Sequence, residues 1–352
     1  MKNSITEEYI GVDLGDKKHH FCITDKQGNI VSEGQLANTK AELTKFAERH
    51  PQATLAMETG THSPWISRLW INLGLQVIVA NARELPMISK NMRKTDKNDA
   101  RILARLVRVD PELLSPVKHG TEQMQKDQMV IKLRDSLVRR RADIVVTIRG
   151  VLKSLGYRLP SGSTNSFPKK IKVFMEEHPD FKIVLEPALA TLEVCNTQIA
   201  QYDEQISEAV ESHSQAKAFQ QIPGVGPITA LMFYLYIQDG NRFKDPRDVG
   251  AYLGLVPRRD QSGKIDKELP ITKAGNKMLR RLLVQCSQFI MGSFGPDCAL
   301  RDWGMKLVAR GGRAAKKKAI IAVARKLATM MMAMWQKGEA YKAYPMEQNA
   351  AA

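Results

Sequence analysis

Cysteine is scarce in this 352-residue chain, and its four copies, Cys22, Cys195, Cys286 and Cys298, stand far apart. No CxxC pair exists, which excludes a zinc ribbon or knuckle, and the spacing suits no disulfide scaffold. A reducing, cytoplasmic setting fits that usage. The opening residues, MKNSITEEYIGVDLG, hold no apolar core of the kind a secretory leader needs. No run approaches the roughly 20 apolar residues of a bilayer span. The nearest, Ala319 to Trp335, is broken by Arg325 and Lys326. Histidine is absent from residues 221–352, so no local Ser–His–Asp triad can form there.

Acid is also in short supply, with 37 Asp+Glu against 53 Lys+Arg and a formal net charge of +16. The first 120 residues carry 17 basic and 14 acidic side chains, and residues 121–220 carry 14 and 13. Residues 221–352 carry 22 and 10, so the excess sits in the last third. That concentration points to a polyanion partner, above all nucleic acid, docked mainly there. A merely solubilising basic surface is the plainer alternative.

The length suggests two or three domains, and a hydrophobic content of 43% supports real cores. Three segments are expected: 1–117, 118–217 and 218–345. In the first, YIGVDLG reads as a strand, and HHFCITDKQGNIVSEGQL as two strands joined by a turn at Lys26–Asn29. A helix from Thr39 to Arg49, the strand ATLAMETG, a helix from Pro64 to Leu73 and the strand LQVIVAN follow. This pattern predicts an α/β layer with a mixed sheet. In residues 121–157, Leu133, Leu137, Ile144, Ile148, Val151 and Leu155 recur at helical spacing and predict a long helix with a coiled-coil-like seam. Arg139, Arg140 and Arg141 interrupt it. Gly156 to Lys170 reads as a flexible link. A second long helix carries Leu185, Leu189, Leu192, Ile199, Tyr202, Ile206 and Val210. The pair is either a protruding helical hairpin or part of an ordinary bundle. The last segment is predicted mostly helical, ending in a helix from Lys316 to Lys337 whose Met330–Met332 run fills core.

Four carboxylates fall at the ends of elements. Asp13 closes the first strand, and Glu58 closes the ATLAME strand. Asp96 and Asp99 open the helix TDKNDARILARLVR behind Thr95, a suitable N-cap, and their spacing puts both on one helical face. Strand ends are where α/β sheets collect their sites. Oxygen ligands of this kind hold Mg²⁺, and metal pairs activate nucleophiles at phosphate. Acidic residues in a first helical turn are also ordinary caps, so only the four carboxylates together point to a metal site. The arrangement resembles that of RNase H-like nucleases of the RuvC type.

In the last third, Ile222-Pro223-Gly224-Val225-Gly226-Pro227 resembles a helix–hairpin–helix, whose glycines bring backbone N–H groups close to a phosphate. A plain glycine turn is the alternative. Beyond it, Arg258, Arg259, Lys264, Lys267, Lys273, Lys277, Arg280 and Arg281 surround a loop bearing Ser262-Gly263. A serine in a flexible, electropositive loop could attack phosphorus, although Ser-Gly taken alone is a common turn.

These residues together resemble Piv/MooV-type insertion-sequence transposases with a DEDD domain. Asp13, Glu58 and Lys94-Thr95-Asp96-Lys97-Asn98-Asp99-Ala100 match the DEDD part. Ile222–Gly226, Gly254-Leu255-Val256-Pro257-Arg258, Ser262-Gly263, Thr272-Lys273-Ala274-Gly275-Asn276 and Leu279-Arg280 match the C-terminal transposase part. Ile148-Arg149-Gly150-Val151-Leu152 matches the helix between them. The segment from Ser262 to Thr272 departs from the pattern, being rich in Lys and Asp rather than Gly and Ser.

The resemblance implies an α/β RNase H-like (RuvC-type) N-terminal domain, a helical coiled-coil-like middle and a mostly α transposase domain with a helix–hairpin–helix. It implies a site-specific recombinase guided by a structured bridge RNA that pairs with donor and target DNA. Asp13, Glu58, Asp96 and Asp99 would be catalytic ligands of Mg²⁺ (or Mn²⁺). Ser262 would form a covalent phosphoserine link, and strand exchange would pass through a Holliday junction. Gly224, Gly226, Arg258, Arg259, Lys264, Lys273, Arg280 and Arg281 would contact DNA, and Arg139, Arg140 and Arg141 would contact RNA. The protein would be a dimer or tetramer, joining one subunit's carboxylates to another's serine, at the cytoplasmic nucleoid. A RuvC-like junction nuclease, a non-catalytic nucleic-acid-binding protein and an invertase acting without RNA are the rivals.

Overall fold

The computed structural model describes residues 7–81, 95–262 and 265–344, with side chains outside 260–268. Of the residues singled out above, Lys94, Gly263 and Lys264 lie outside the described residues, and only the backbone of Ser262 is described. The chain divides into two compact units, residues 1–122 and 123–352.

The first unit is built on β1 (Tyr9–Asp13), β2 (Lys18–Thr24), β3 (Ile30–Ala37), β4 (Thr54–Glu58) and β5 (Gln76–Ala80). The strand order is β3-β2-β1-β4-β5. β2 pairs antiparallel with both β1 and β3, while β1, β4 and β5 run parallel. The expected mixed sheet is therefore present. The β2–β3 turn closes at Asp25–Asn29, where Gly28 takes φ +90° and the Asn29 amide donates to Asp25 Oδ1 at 2.8 Å. The parallel connections need crossovers, supplied by α1 (Lys40–Arg49) and α2 (Ser63–Asn72). Alternation sorts the sheet's two faces. Ile10, Val12, Ile23 and Leu55 join Phe46, Ile66 and Trp70 in the core beneath α1 and α2. The other face carries α3 (Asp96–Val109), whose Ala100 and Ala104 pack on Cys22 and whose Leu103 and Val107 pack on Ala56 and Ala80.

The second unit opens with α4 (Glu122–Ser154), followed by α5 (Phe167–Glu177) and α6 (Lys182–Ser212). α4 and α6 lie antiparallel, with Arg134 Nε donating to Asp203 Oδ1 at 2.8 Å and Arg141 Nη1 to Asn196 Oδ1 at 2.7 Å. The seam is rotated from the expected one. Met124, Ile131, Val145, Ile148 and Leu152 are buried, while Leu133, Val151 and Leu155 are exposed. The expected link, Gly156 to Lys170, ends earlier, and its last four residues, with Pro168 and two lysines, form the first turn of α5. Phe167, Ile171 and Phe174 repeat at helical spacing and fill the far end of the hairpin against Leu185, Leu189 and Leu192.

The rest is α7 (Ser214–Phe219), α8 (Pro227–Ile237), α9 (Val249–Tyr252), β6 (Pro257–Ser262), β7 (Ile265–Ile271), α10 (Lys277–Ile290), α11 (Ala299–Ala309) and α12 (Ala315–Lys337). Met331 and Met332 are fully buried, as expected of core filling. Met124 and Ile131 of α4 and Ile206 and Val210 of α6 belong to the same core as α8, α10 and α12. Packing thus runs continuously across residues 217–218. Among the described residues no helix is long and apolar enough to cross a membrane.

Candidate active site

Four strands carry polar groups in one cross-strand row on the α3 face. Gln35 pairs with His20, and His20 with Asp13. Val12 of β1 pairs with Met57 of β4, so the next rung sets Asp13 beside Glu58 on neighbouring parallel strands, which run about 4.8 Å apart. Directly opposed residues share a face, so His20 belongs to the carboxylate row. His19, one residue earlier, is fully buried on the other face, and burial pushes its imidazole down.

α3 delivers the other two carboxylates. Its first turn is fixed by Thr95, whose hydroxyl accepts from the Asn98 amide at 3.3 Å. The helix lies flat on β1 because Gly11 has no side chain, and any β-carbon there would overlap the Ala100 carbonyl oxygen. Asp99, the residue before, is buried at 3% exposure. Asp96 differs, with its side chain 70% exposed and one oxygen 3.5 Å from His20 Nδ1. The shared-face expectation is thus met loosely, with one aspartate inside and one at the rim.

A second contact holds α3 in register. Arg101 grips Glu33 of β3 through Nε and Nη2, the latter at 2.8 Å, and Lys97 adds an ion pair at 3.1 Å. The Arg101 hydrogen bonds, then those of Lys97, hold the Glu33 carboxyl down to about 2. Sequence reasoning missed His20, Gly11 and Glu33. A glycine amid the apolar residues of β1 was the available signal, since it marks a close approach.

In kind, the donors at two adjacent strand ends and on the helix above them are hard carboxylate oxygens, the type a divalent ion such as Mg²⁺ takes. Among the described residues no three His, Cys, Asp or Glu side chains are gathered tightly enough to hold one already.

In the second unit, Ser262 ends β6 and pairs with Ile265 across the turn of a two-stranded antiparallel hairpin. The flexible loop expected here is a β-hairpin, whose charged strands show no apolar alternation to announce it. Arg258 and Arg259 are exposed on β6. Arg280 faces inward, donating to the carbonyls of Leu253 at 3.0 Å and Ala274 at 2.5 Å. Arg281 reaches buried Asp135 of α4, and Arg139 pairs with the same carboxylate at 3.2 Å. Arg140 is exposed, whereas Arg141 is partly buried against Asn196 and its guanidinium is lowered by burial.

The turn before α8 treats its glycines differently. Gly224 has φ +89°, and a β-carbon there would stand 2.9 Å from the Phe289 ring. Gly226, the N-cap of α8, has an ordinary φ of −83° and open space around its missing side chain. Gly224 shapes the turn, and Gly226 leaves the helix end accessible.

Two family profiles match the chain. One, described as a transposase of the DEDD IS110 type, matches residues 10–156, and a profile for the IS116/IS110/IS902 transposase family matches residues 216–301. The transposase for insertion sequence element IS1328 of Yersinia enterocolitica is 30% identical over 290 residues, covering 80% of this chain and 83% of its own. The transposase for insertion sequence element IS1111A of Coxiella burnetii is 27% identical over 340 residues, covering 95% and 91%. The pilin gene-inverting protein of Moraxella bovis is 25% identical over 347 residues, covering 94% and 96%.

Proposed function

The chain belongs to the IS110-type family of DEDD insertion-sequence transposases, and from that premise we propose that this DNA-recombining enzyme joins the carboxylate site of one subunit to the serine of another. The first unit is read as an RNase H-like domain of the RuvC type. Its sheet order and the single row Gln35–His20–Asp13–Glu58 beneath α3 carry this reading. Asp13, Glu58, Asp99 and, from the rim, Asp96 hold Mg²⁺ or Mn²⁺, which when bound supplies Lewis-acid stabilisation at phosphate.

Ser262 is the nucleophile. Its oxygen bonds to phosphorus, the bond to the departing deoxyribose oxygen breaks, and the serine proton ends on that oxygen. The resulting diester keeps the energy of the broken linkage, so rejoining needs no ATP and exchange proceeds through a Holliday junction. Residues 221–352 lack histidine, and a second subunit's carboxylate site serves as the proton acceptor in a dimer or tetramer. The turn at Gly224–Gly226 acts as a helix–hairpin–helix phosphate contact. A structured guide RNA pairs with donor and target DNA and carries their sequence specificity.

A plasmid recombination assay tests this directly. Ser262→Ala and Asp13→Ala should each abolish recombination. DNA cleavage that survives Ser262→Ala would favour a junction nuclease, and full activity of Asp13→Ala a non-catalytic binder. The likeness to a gene-inverting protein favours an invertase as the second reading, and in its distinct form that invertase acts without RNA. Sequencing RNA that co-purifies with the protein separates the two, because a single structured species is expected only for the guided enzyme.

A further inference from the structure

A cavity of about 650 Å³ opens between α4 and the start of α10, and six of its lining residues are cations: Lys132, Arg139, Lys273, Lys277, Arg280 and Arg281. Asp135 is the one acid among the described residues of its lining. These residues lie on two stretches of chain, 132–139 and 273–281, far apart in sequence. Cations drawn together in one concavity repel each other unless an anion joins them. Lys132, Lys273 and Lys277 are exposed and have no carboxylate partner among the described residues.

Asp135 is 7% exposed and pairs with both Arg139 and Arg281. Arg139 also donates to the Asp135 backbone carbonyl at 3.4 Å. One buried carboxylate therefore fixes two guanidinium groups from different helices at the cavity wall, leaving donors on each for a second acceptor. The loop below is equally fixed. Lys273 is held at φ +57°, an unfavourable conformation for lysine, beneath the Arg280 hydrogen bonds to Leu253 and Ala274.

The cavity touches the serine hairpin at its base. Ile271 lines it and pairs with Pro257, while Ser262 lies at the other end of β6. Five steps of strand separate Pro257 from Ser262, about 17 Å at roughly 3.3 Å per residue. That equals about five base pairs of duplex.

We propose that this cavity seats backbone phosphates of the DNA strand, about five base pairs from the phosphate that Ser262 attacks, and that Asp135 is a positioning residue holding Arg139 and Arg281 for them. The proposal rests on the recombinase reading above, since that reading brings DNA to the hairpin. It names a grip remote from the chemistry, and no base is read there.

The test is the salt dependence of full-length protein binding to a random-sequence DNA duplex, with the co-purified RNA as the second probe. Lys132→Gln with Lys277→Gln removes two exposed cations that support no described contact. The slope of log K against log salt for DNA should fall by about 1.8, the value for two lost phosphate contacts, while RNA binding stays unchanged. An unchanged DNA slope, or equal falls for DNA and RNA, overturns the assignment. Asp135→Asn, with its thermal midpoint checked, is the second arm. It should weaken DNA binding several-fold although it makes the protein more positive; tighter binding would show a simple counter-charge and overturn the positioning role. Ser262→Ala should keep the wild-type slope, so failure of the cavity and failure of the serine mechanism read out separately.

Discussion

Gly11 in the middle of β1 lies directly against the Ala100 carbonyl of α3, with the Leu103 β-carbon 2.9 Å from where a Gly11 side chain would begin. This contact sets the height of α3 above the sheet. Asp99 precedes Ala100 on the helix, and Asp13 follows Gly11 by two residues on the strand. The absent side chain thereby lets the helix segment that carries buried Asp99 pack directly on the strand that ends in Asp13. Gly11→Ala should cost about 1–3 kcal/mol by overpacking, and it should reduce DNA cleavage more than the stability loss explains. Denaturant unfolding of the variant beside its cleavage rate checks both.

Glu33 gives the first unit a pH-sensitive clasp. Arg101 and then Lys97 hold its carboxyl at about 2 in the folded state, below its ordinary 4.5. A depressed carboxylate stabilises the fold above its unfolded value and loses that contribution as pH falls through the folded one. The thermal midpoint should therefore drop between about pH 4.5 and pH 2, and Glu33→Gln should flatten that part of the profile. An identical profile in the variant would remove Glu33 from the account.

The arginine triplet of α4 divides by direction. Arg141 donates to Asn196 across the helical hairpin, while Arg140 is exposed. Arg141→Ala should destabilise the second unit by about 1–3 kcal/mol through an abandoned partner and lost packing. Arg140→Ala should leave stability within about 0.5 kcal/mol and weaken RNA retention only. Paired unfolding curves and filter binding separate these roles.

Gly224 and Gly226 should also part company. Gly224→Ala forces a β-carbon into positive φ and against the Phe289 ring, and should cost about 1–2 kcal/mol or more. Gly226→Ala meets neither obstacle, so the protein should fold normally while its DNA affinity falls because the end of α8 is less open. Equal melting temperatures for the two variants would contradict this division.

Much of the first unit was legible because its strands alternate and its helices carry clear caps. Thr95 accepts from the amide three residues on, as its position predicts, and Thr39, expected inside its helix, caps it in the same way. The carboxylates were legible as element ends, whereas their grouping depends on strand pairing, which sequence does not print. His20 entered the row only through its register with Asp13. The buried face of α4 was misjudged because Leu133 and Leu155 look like seam residues, while two buried positions are Asp127 and Asp135, satisfied by His213 and by Arg139 with Arg281. The hairpin bearing Ser262 was hidden because its strands are highly charged and their pairing, rather than an apolar face, defines them.

The most direct test of the account is to trap protein covalently bound to DNA under denaturing conditions, with Mg²⁺ present. Wild-type protein should give an adduct whose cross-linked residue maps to Ser262, and both Ser262→Ala and Asp13→Ala should give none. Strand cleavage that persists in Ser262→Ala, with no adduct in the wild type, would contradict a serine nucleophile supported by the carboxylate site.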